Sequence, residues 1–433
     1  MSQRQRKKIS KHEAAIKLLS NRLVDAQRPI HILDSIKWND QIKQDFFKHK
    51  FKKLPAVHKN FYLQNNLNFD PDELFNEFYI IEHEVKRILG SYGAASQLLQ
   101  HRCREYRDVI SLLKARGTKE FSELSKGLYG SAQDAFYEEA PTLQDLSELI
   151  SGVLENIGGK TVSDIDTKIY SAEDAAKILS KRLRKYFGRD HKKIHVEASD
   201  QIISDAAAGA DSIKLRSDTI FSERVLRLYE VHEGWVHLGT TLNGLKQPIC
   251  TFLSKGTPSC TITQEGLAML MELFTFTSYP NRVRRITDRI VAINMAEAGA
   301  NFIDIFNFFR EQDSTEDESY YNTVRVFRGS LPDLGPFTKD LSYSKGFVSI
   351  LNYIRLSVQR GNLDHIPLLF LGKINLSEIH LLAELIEDKI VQRPKYLPPQ
   401  FKDLSGISAL MGYLIFISQL DTEALAKSYQ DIL

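Results

Sequence analysis

Apolar residues recur three or four positions apart through most of residues 10–136. The pattern is clear in HEAAIKLLSNRLVDA, in DPDELFNEFYIIEHEVKRILGSYGAASQLLQHRCREYRDVISLLKA and in TKEFSELSKGLYGSAQDAF. This spacing gathers the apolar residues on one face of a helix, so it predicts a mainly helical amino-terminal region. Pro71 after Asp70 marks a helix entry, and Gly117 marks a stop. Turn-forming clusters at 139–142 (EAPT) and 156–159 (NIGG) place a boundary there, with a helical region over 1–157 and a second unit over 158–433.

After a further helical stretch, SAEDAAKILSKRLRKYFG, the period changes. KKIHVEAS and DSIKLRSDTIF alternate apolar with polar residues, as half-buried strands do. Ser222 then caps a helix, SERVLRLYEVHEGWVHLGTTLNG, which Gly244 can end. A second helix starts near Thr263 in TQEGLAMLMELFTF, with Thr263 as its cap. RVRRITDRIVAINMAEAGANFIDIFNFFREQ reads as helices, VRVFRG as a strand and LPDLGPFTKD as a loop. ALMGYLIFISQL is too short to span a bilayer and reads as a buried core helix. The fold class is therefore α+β.

Composition narrows the function classes. With 433 residues, 42% of them hydrophobic, the chain can bury the cores of two domains or of one large elaborated one. Lys plus Arg (57) nearly balance Asp plus Glu (55), which does not favour nucleic-acid binding. The charge is uneven, however: residues 1–60 hold 15 Lys or Arg against five acidic residues. They read as a solvated helical surface, or as a docking face for an acidic partner or an anionic surface. The basic start has no apolar stretch after it, so no signal peptide is expected. Three cysteines without a CxxC spacing argue against a disulfide framework and for a reducing compartment, the cytoplasm.

The candidate chemistry lies in VHEGWVHLGTTLNG, residues 231–244. Zinc-peptidase helices place two histidines four residues apart with a glutamate beside the first. Here His232 and His237 are five apart. On an ideal helix, five steps put the rings about 140° apart, too divergent to share an ion. One widened turn of about 4.4 residues brings them back to within about 50°, and such bulges concentrate at functional sites. Gly234 supplies backbone tolerance where the distortion would fall.

A catalytic zinc site needs a third protein ligand and an open position. Glu265 in TQEGLA is the best candidate, since small Gly266 and Ala268 let its helix approach the histidine helix closely. Glu272, seven residues on and about 20° off the same face, is a partner that could orient a ligand histidine. An ordinary amphipathic helix carrying two histidines, and a surface role for Glu272, stay open on pattern alone. The pair in HKKIH (191–195) reads as solvated, and His83-Glu84 as helix surface. No GxxxxGK[ST], GxGxxG after a strand, or GxSxG elbow occurs, and no base pairs with the serine of FLSKGTPS.

Taken in order, HEGWVH, NGLKQP, TQEGLA, RVFRG and FTKDLSYSKG resemble the QEGLA-motif family of proposed zinc metallopeptidases over about residues 160–400. That family includes the tubulin metallocarboxypeptidases and bacterial proteins labelled as flavohaemoglobin-expression modulators. The resemblance implies a gluzincin-like domain with an extended HExxxH helix. It implies Zn2+ held by His232, His237 and Glu265, with Glu233 as catalytic base. A second donor to the developing oxyanion is then expected, and Tyr343 is the candidate. A carboxypeptidase must also hold its substrate's terminal carboxylate, for which Arg328, Lys339 and, behind them, Lys255 are candidates. The implied partner is a peptide or protein C-terminal tail, acidic tails among them. The competing class is a non-enzymatic regulatory or binding protein on the same scaffold.

Overall fold

The computed structural model describes residues 9–157, 166–200, 202, 204–209, 211–312, 314–430 and 432. Helices dominate, and local chemistry explains where they start. Ser10 and Glu13 form a capping box on Lys11–Gln27, and Asp70 caps Pro71–Leu89 with proline at the first helical position. Gly90, at φ 78°, separates that helix from Ala94–Lys114, so the long periodic stretch of the sequence is a helical hairpin. Ser171 caps Ala172–Phe187, and Ser222 caps the histidine helix as its sequence predicts.

The β structure is small and lies against Ala172–Phe187. His195–Ser199 pairs in parallel with Ser212–Arg216, which pairs antiparallel with Ala206–Ala208 on its other edge. Lys168–Tyr170 and Phe221–Ser222 form a separate antiparallel pair. The fold is α+β with a helical amino-terminal region.

Two segments differ from their sequence reading. VRVFRG is not a strand: Thr315 and Glu318 form a capping box that starts a helix at Glu316–Phe327. Tyr320, Val324 and Phe327 are buried along it at spacings of four and three, which is the helical face. The helix bearing Glu265 starts at Pro258, not near Thr263, with Thr257 at the cap position. Thr263 lies inside it and accepts a hydrogen bond from the Leu376 amide at 3.0 Å.

The apolar clusters tie the two ends of the chain together. Leu98, Leu99 and Ile110 of the amino-terminal helices share one core with Val236, Leu267, Met271 and Ile350. Phe46 and Tyr62 share another with Phe302, Phe306 and Phe327. Each such fully buried side chain contributes about 1.5–3 kcal/mol, so the helices around the candidate site are held from several sides. The boundary expected at 157/158 borders residues outside those described. ALMGYLIFISQL departs from a buried core helix: Met411 is covered, while Tyr413, Phe416 and Ile417 face outward. Among the described residues no helix is long and apolar enough to cross a membrane.

Candidate active site

Glu230–Leu238 is a π-helix, continuous with α-helix Glu223–Tyr229 before it and Gly239–Leu245 after it. The wider turn brings His232 and His237 onto one side, with ring centroids 4.8 Å apart. Gly234 lies inside this segment, where a Cβ would stand 2.3 Å from Leu183 Cδ2. The missing side chain lets the segment pack closely against helix Ala172–Phe187. Side chains also meet a carbonyl of this segment. The His237 carbonyl accepts from the Thr241 hydroxyl at 2.8 Å and from Lys373 Nζ at 2.9 Å.

Glu265 comes from Pro258–Phe274, which packs beside the π-helix. Its Oε2 stands 3.5 Å from both His232 Nε2 and His237 Nε2, is buried, and accepts no hydrogen bond among the described residues. All three ligand atoms fall within 4.8 Å of one another. Donors about 2.1 Å from a tetrahedral ion are about 3.4 Å apart, so the 3.5 Å separations fit a zinc-sized cation. The donor set, two imidazoles and a carboxylate, suits zinc as well.

Glu272 is buried and its Oε1 is 2.7 Å from His232 Nδ1. This contact fixes the ring and directs Nε2 toward Glu265. Arg282 completes the chain, donating to Glu272 from Nη2 at 3.0 Å and from Nε at 3.3 Å. Burial works to raise the Glu272 pKa, but the Arg282 charge and the His232 contact hold it down at about 2. Burial likewise opposes charge on His232, yet its contacts with Glu265 and Glu272 and the nearby Glu233 raise its pKa to about 10. Three carboxylates, those of Glu233, Glu265 and Glu272, thus surround the His232 ring. Glu265 stays well below the usual carboxylate range: burial is outweighed by His237, His232 and Lys339.

Gly266, beside Glu265, does not face the histidine helix. It meets Gly346 of Ser342–Gln359 backbone to backbone, and a Cβ on Gly266 would stand 2.0 Å from the Gly346 carbonyl carbon. This crossing brings Tyr343 to the site, its ring centroid 6.4 Å from that of His232. Burial and the Glu265 charge push the Tyr343 hydroxyl up to about 12, against the pull of Arg325 and Arg289, so it is a hydroxyl donor at neutral pH. Glu233 Oε1 lies 3.9 Å from His232 Nε2, on the same side as the ligand atoms.

Cations line one wall beside the cluster. Lys339 Nζ is 3.7 Å from Glu265 Oε1, and Asp340 accepts from Arg325 at 2.6 and 2.8 Å. Arg328 is 4% exposed, ends helix Glu316–Phe327 and lies over the Phe337 ring. Arg289 and Arg282 both lie over the Tyr343 ring, at 5.4 and 5.9 Å.

The family model described as microtubule-associated tyrosine carboxypeptidase matches residues 44–419. The chain belongs to that family. No curated protein matches the chain significantly.

A tyrosine carboxypeptidase family fits a site that combines a clustered His-His-Glu set with a cationic wall. The fold brings together His232, His237, Glu265, Glu233, Tyr343 and Lys339, with Arg328 close enough to Asp340 to feel its charge. Lys255 is different. Its carbonyl accepts from Arg102 at 3.1 Å, and among the described residues its ammonium makes no ion pair or hydrogen bond with the cluster. Sequence reasoning missed Arg282, Arg289, Arg325, Asp340 and Lys373. The first two carried a signal: they stand seven apart on one helix, hence on nearly one face. Lys373 carried none, because it reaches the site from a distant turn. Its ammonium bridges the His237 carbonyl and Gln264 Oε1, both at 2.9 Å, and burial lowers its pKa to about 8.

Proposed function

We propose that the protein is a zinc-dependent carboxypeptidase that removes a C-terminal residue, tyrosine in the first instance, from a peptide or protein tail. His232, His237 and Glu265 would hold the ion. The observation that carries this reading is the Glu265 oxygen, buried without a hydrogen bond and facing two imidazole nitrogens at 3.5 Å. A buried carboxylate oxygen is costly to leave unpaired, and a cation satisfies it together with both nitrogens. Zinc supplies Lewis acidity toward water and the scissile carbonyl.

The protein's own residues do the rest. Glu233 takes a proton from the attacking water and returns it to the leaving amine. Tyr343, protonated at neutral pH, donates a hydrogen bond to the carbonyl oxygen as negative charge develops there. Glu272 and Arg282 keep the His232 ring in one orientation throughout. Arg328 and Lys339 would take the substrate's terminal carboxylate, and their charge would favour acidic tails. Lys255, whose ammonium makes no ion pair or hydrogen bond with the cluster among the described residues, is left without a role on this reading.

The test is release of free tyrosine from a peptide ending in tyrosine, by the zinc-supplemented chain and by Glu233→Gln. Wild type should release tyrosine, and the variant should be slower by about 100-fold or more. Equal release by the variant removes Glu233 from its role, and cleavage confined to internal bonds removes the carboxypeptidase reading.

A further inference from the structure

The two histidines of the ligand triangle are held by different means. His232 is fixed through its ring, because Glu272 Oε1 meets Nδ1 at 2.7 Å and Arg282 braces that carboxylate at 3.0 Å. His237 has no such partner. Among the described residues the one polar contact of its ring is that of Nε2 with Glu265 Oε2, at 3.5 Å. Its peptide carbonyl, by contrast, accepts from the Thr241 hydroxyl at 2.8 Å and from the Lys373 ammonium at 2.9 Å.

Lys373 reaches beyond that carbonyl. Its Nζ also donates to Thr240 Oγ1 at 3.2 Å and to Gln264 Oε1 at 2.9 Å, and Gln264 is the residue before Glu265. An ammonium has three N–H donors, and these three acceptors match them one for one. All three acceptors belong to the two helices that carry the ligands: His237 and Thr240 on the π-helix and its continuation, Gln264 on Pro258–Phe274. Thr240 Oγ1 is itself 2.6 Å from Gln264 Oε1, so the lysine closes a ring of contacts across the helix pair.

The lysine is placed by its backbone. Its N–H donates to the Leu253 carbonyl at 2.7 Å, and its own carbonyl accepts from Arg102 Nη2 at 2.8 Å. Arg102 is 1% exposed and also donates to Glu378 Oε2 at 3.2 Å, so it cannot swing away into solvent. The preceding residue has to be glycine, since a Cβ on Gly372 would stand 2.6 Å from the Leu253 carbonyl oxygen. Three residues on, the Leu376 amide donates to Thr263, two residues before Glu265. One short segment is thus stitched to the Glu265 helix and to the carbonyl of the second histidine.

We infer that Lys373 is a positioning residue of the metal site, a clamp that ties the His237 carbonyl to Gln264 and so fixes His237 and Glu265 relative to each other. The inference rests on the reading of His232, His237 and Glu265 as zinc ligands. It adds the group that orients His237 and a brace that runs through Arg102 to the amino-terminal helix Ala94–Lys114.

The test reads metal binding apart from turnover. Zinc affinity of wild type, Lys373→Met and Gln264→Met is measured by competition with a chromophoric chelator, and the visible absorption of the cobalt-substituted chains reports ligand geometry. Methionine keeps much of either side chain's length and removes its hydrogen bonds. Lys373→Met should weaken zinc about 10- to 100-fold, as loss of a group that orients a ligand does, and should shift the cobalt spectrum. Gln264→Met leaves Lys373 on His237 but cuts its link to the Glu265 helix, and should weaken zinc less. Lys373→Arg should recover part of the affinity, because a guanidinium still donates to these acceptors. A folded Lys373→Met chain with zinc affinity within twofold of wild type and an unchanged cobalt spectrum overturns the clamp. A lower melting temperature with unchanged affinity overturns it too, as does failure of both methionine variants to fold, since the contacts are then structural. Absence of zinc from wild type removes the metal site and the clamp with it. The expected losses in a wild type that binds zinc but releases no tyrosine support the clamp and remove only the carboxypeptidase reading.

Discussion

The backbone contact between Gly266 and Gly346 makes a quantitative prediction. A Cβ at position 346 would stand 1.9 Å from the Ile262 carbonyl oxygen and 2.9 Å from Gly266 Cα and N, where ordinary contact begins at 3.4 Å. Backbone on both sides cannot yield by changing rotamer, so Gly346→Ala must part the two helices by about 1.5 Å at the crossing. Tyr343 is three residues from the crossing on one helix, and Glu265 is adjacent to it on the other. Both therefore move relative to the π-helix. Overpacking of this kind costs about 1–3 kcal/mol, and a displacement of about 1 Å in a catalytic constellation costs about 100-fold in rate. The expected result is a lower melting temperature and a fall in kcat for tyrosine release of about 100-fold, with helical circular dichroism preserved. Gly406→Ala is the control, since nothing lies within 4 Å of a Cβ there. If Gly346→Ala stays within twofold of wild type in kcat and melts at the same temperature, the crossing does not position the site.

Three further outcomes follow from the same contacts. Glu272→Gln removes the charged partner of His232 Nδ1 and should weaken zinc about 10- to 100-fold in competition with a chromophoric chelator; unchanged affinity would show that Arg282 and packing suffice to orient the ring. Stripping the metal should lower the melting temperature and re-addition should restore it, since an ion in thousandfold excess over its dissociation constant contributes about 4 kcal/mol; a melting curve indifferent to chelator contradicts a high-affinity site. Asp288 has its pKa raised from 3.8 to about 6, chiefly by burial, with Arg284 and Arg289 opposing. The folded state therefore binds the extra proton, and this group's contribution favours folding below about pH 4 and is lost as pH rises through about 6. Asp288→Asn should raise the melting temperature at pH 8 and leave it unchanged near pH 4; equal effects at both pH values would assign the change to packing instead.

How much the sequence disclosed varied with how local the cause was. The widened turn followed from arithmetic on a five-residue spacing, and the π-helix at Glu230–Leu238 has it. The seven-residue step from Glu265 to Glu272 placed both carboxylates on one helical face, and both meet His232. VRVFRG misled because Val324 and Val326 alternate as in a strand, while the capping box that fixes the helix lies upstream at Thr315. The start of the Glu265 helix was misplaced although Thr257-Pro258 carries the usual signature of a cap followed by proline. The glycine of QEGLA was credited with approach to the histidine helix, but only the tertiary crossing reveals Gly346 as its neighbour. Arg289, Arg325 and Lys373 act through partners distant in sequence, and no local period marks such residues. The Arg328 Nε, buried without a hydrogen-bond partner among the described residues, is equally a product of packing, since the sequence supplies many carboxylates but only the fold decides which ones reach it.

The central claim is that His232, His237 and Glu265 hold a zinc ion that Glu233 and Tyr343 serve. The most direct measurement is anomalous diffraction across the zinc absorption edge from crystals of the zinc-supplemented chain. The account predicts one strong peak within coordination distance of His232 Nε2, His237 Nε2 and a Glu265 carboxylate oxygen, absent from crystals of Glu265→Gln grown the same way. No peak at that triangle, or zinc bound only elsewhere on the chain, would contradict it.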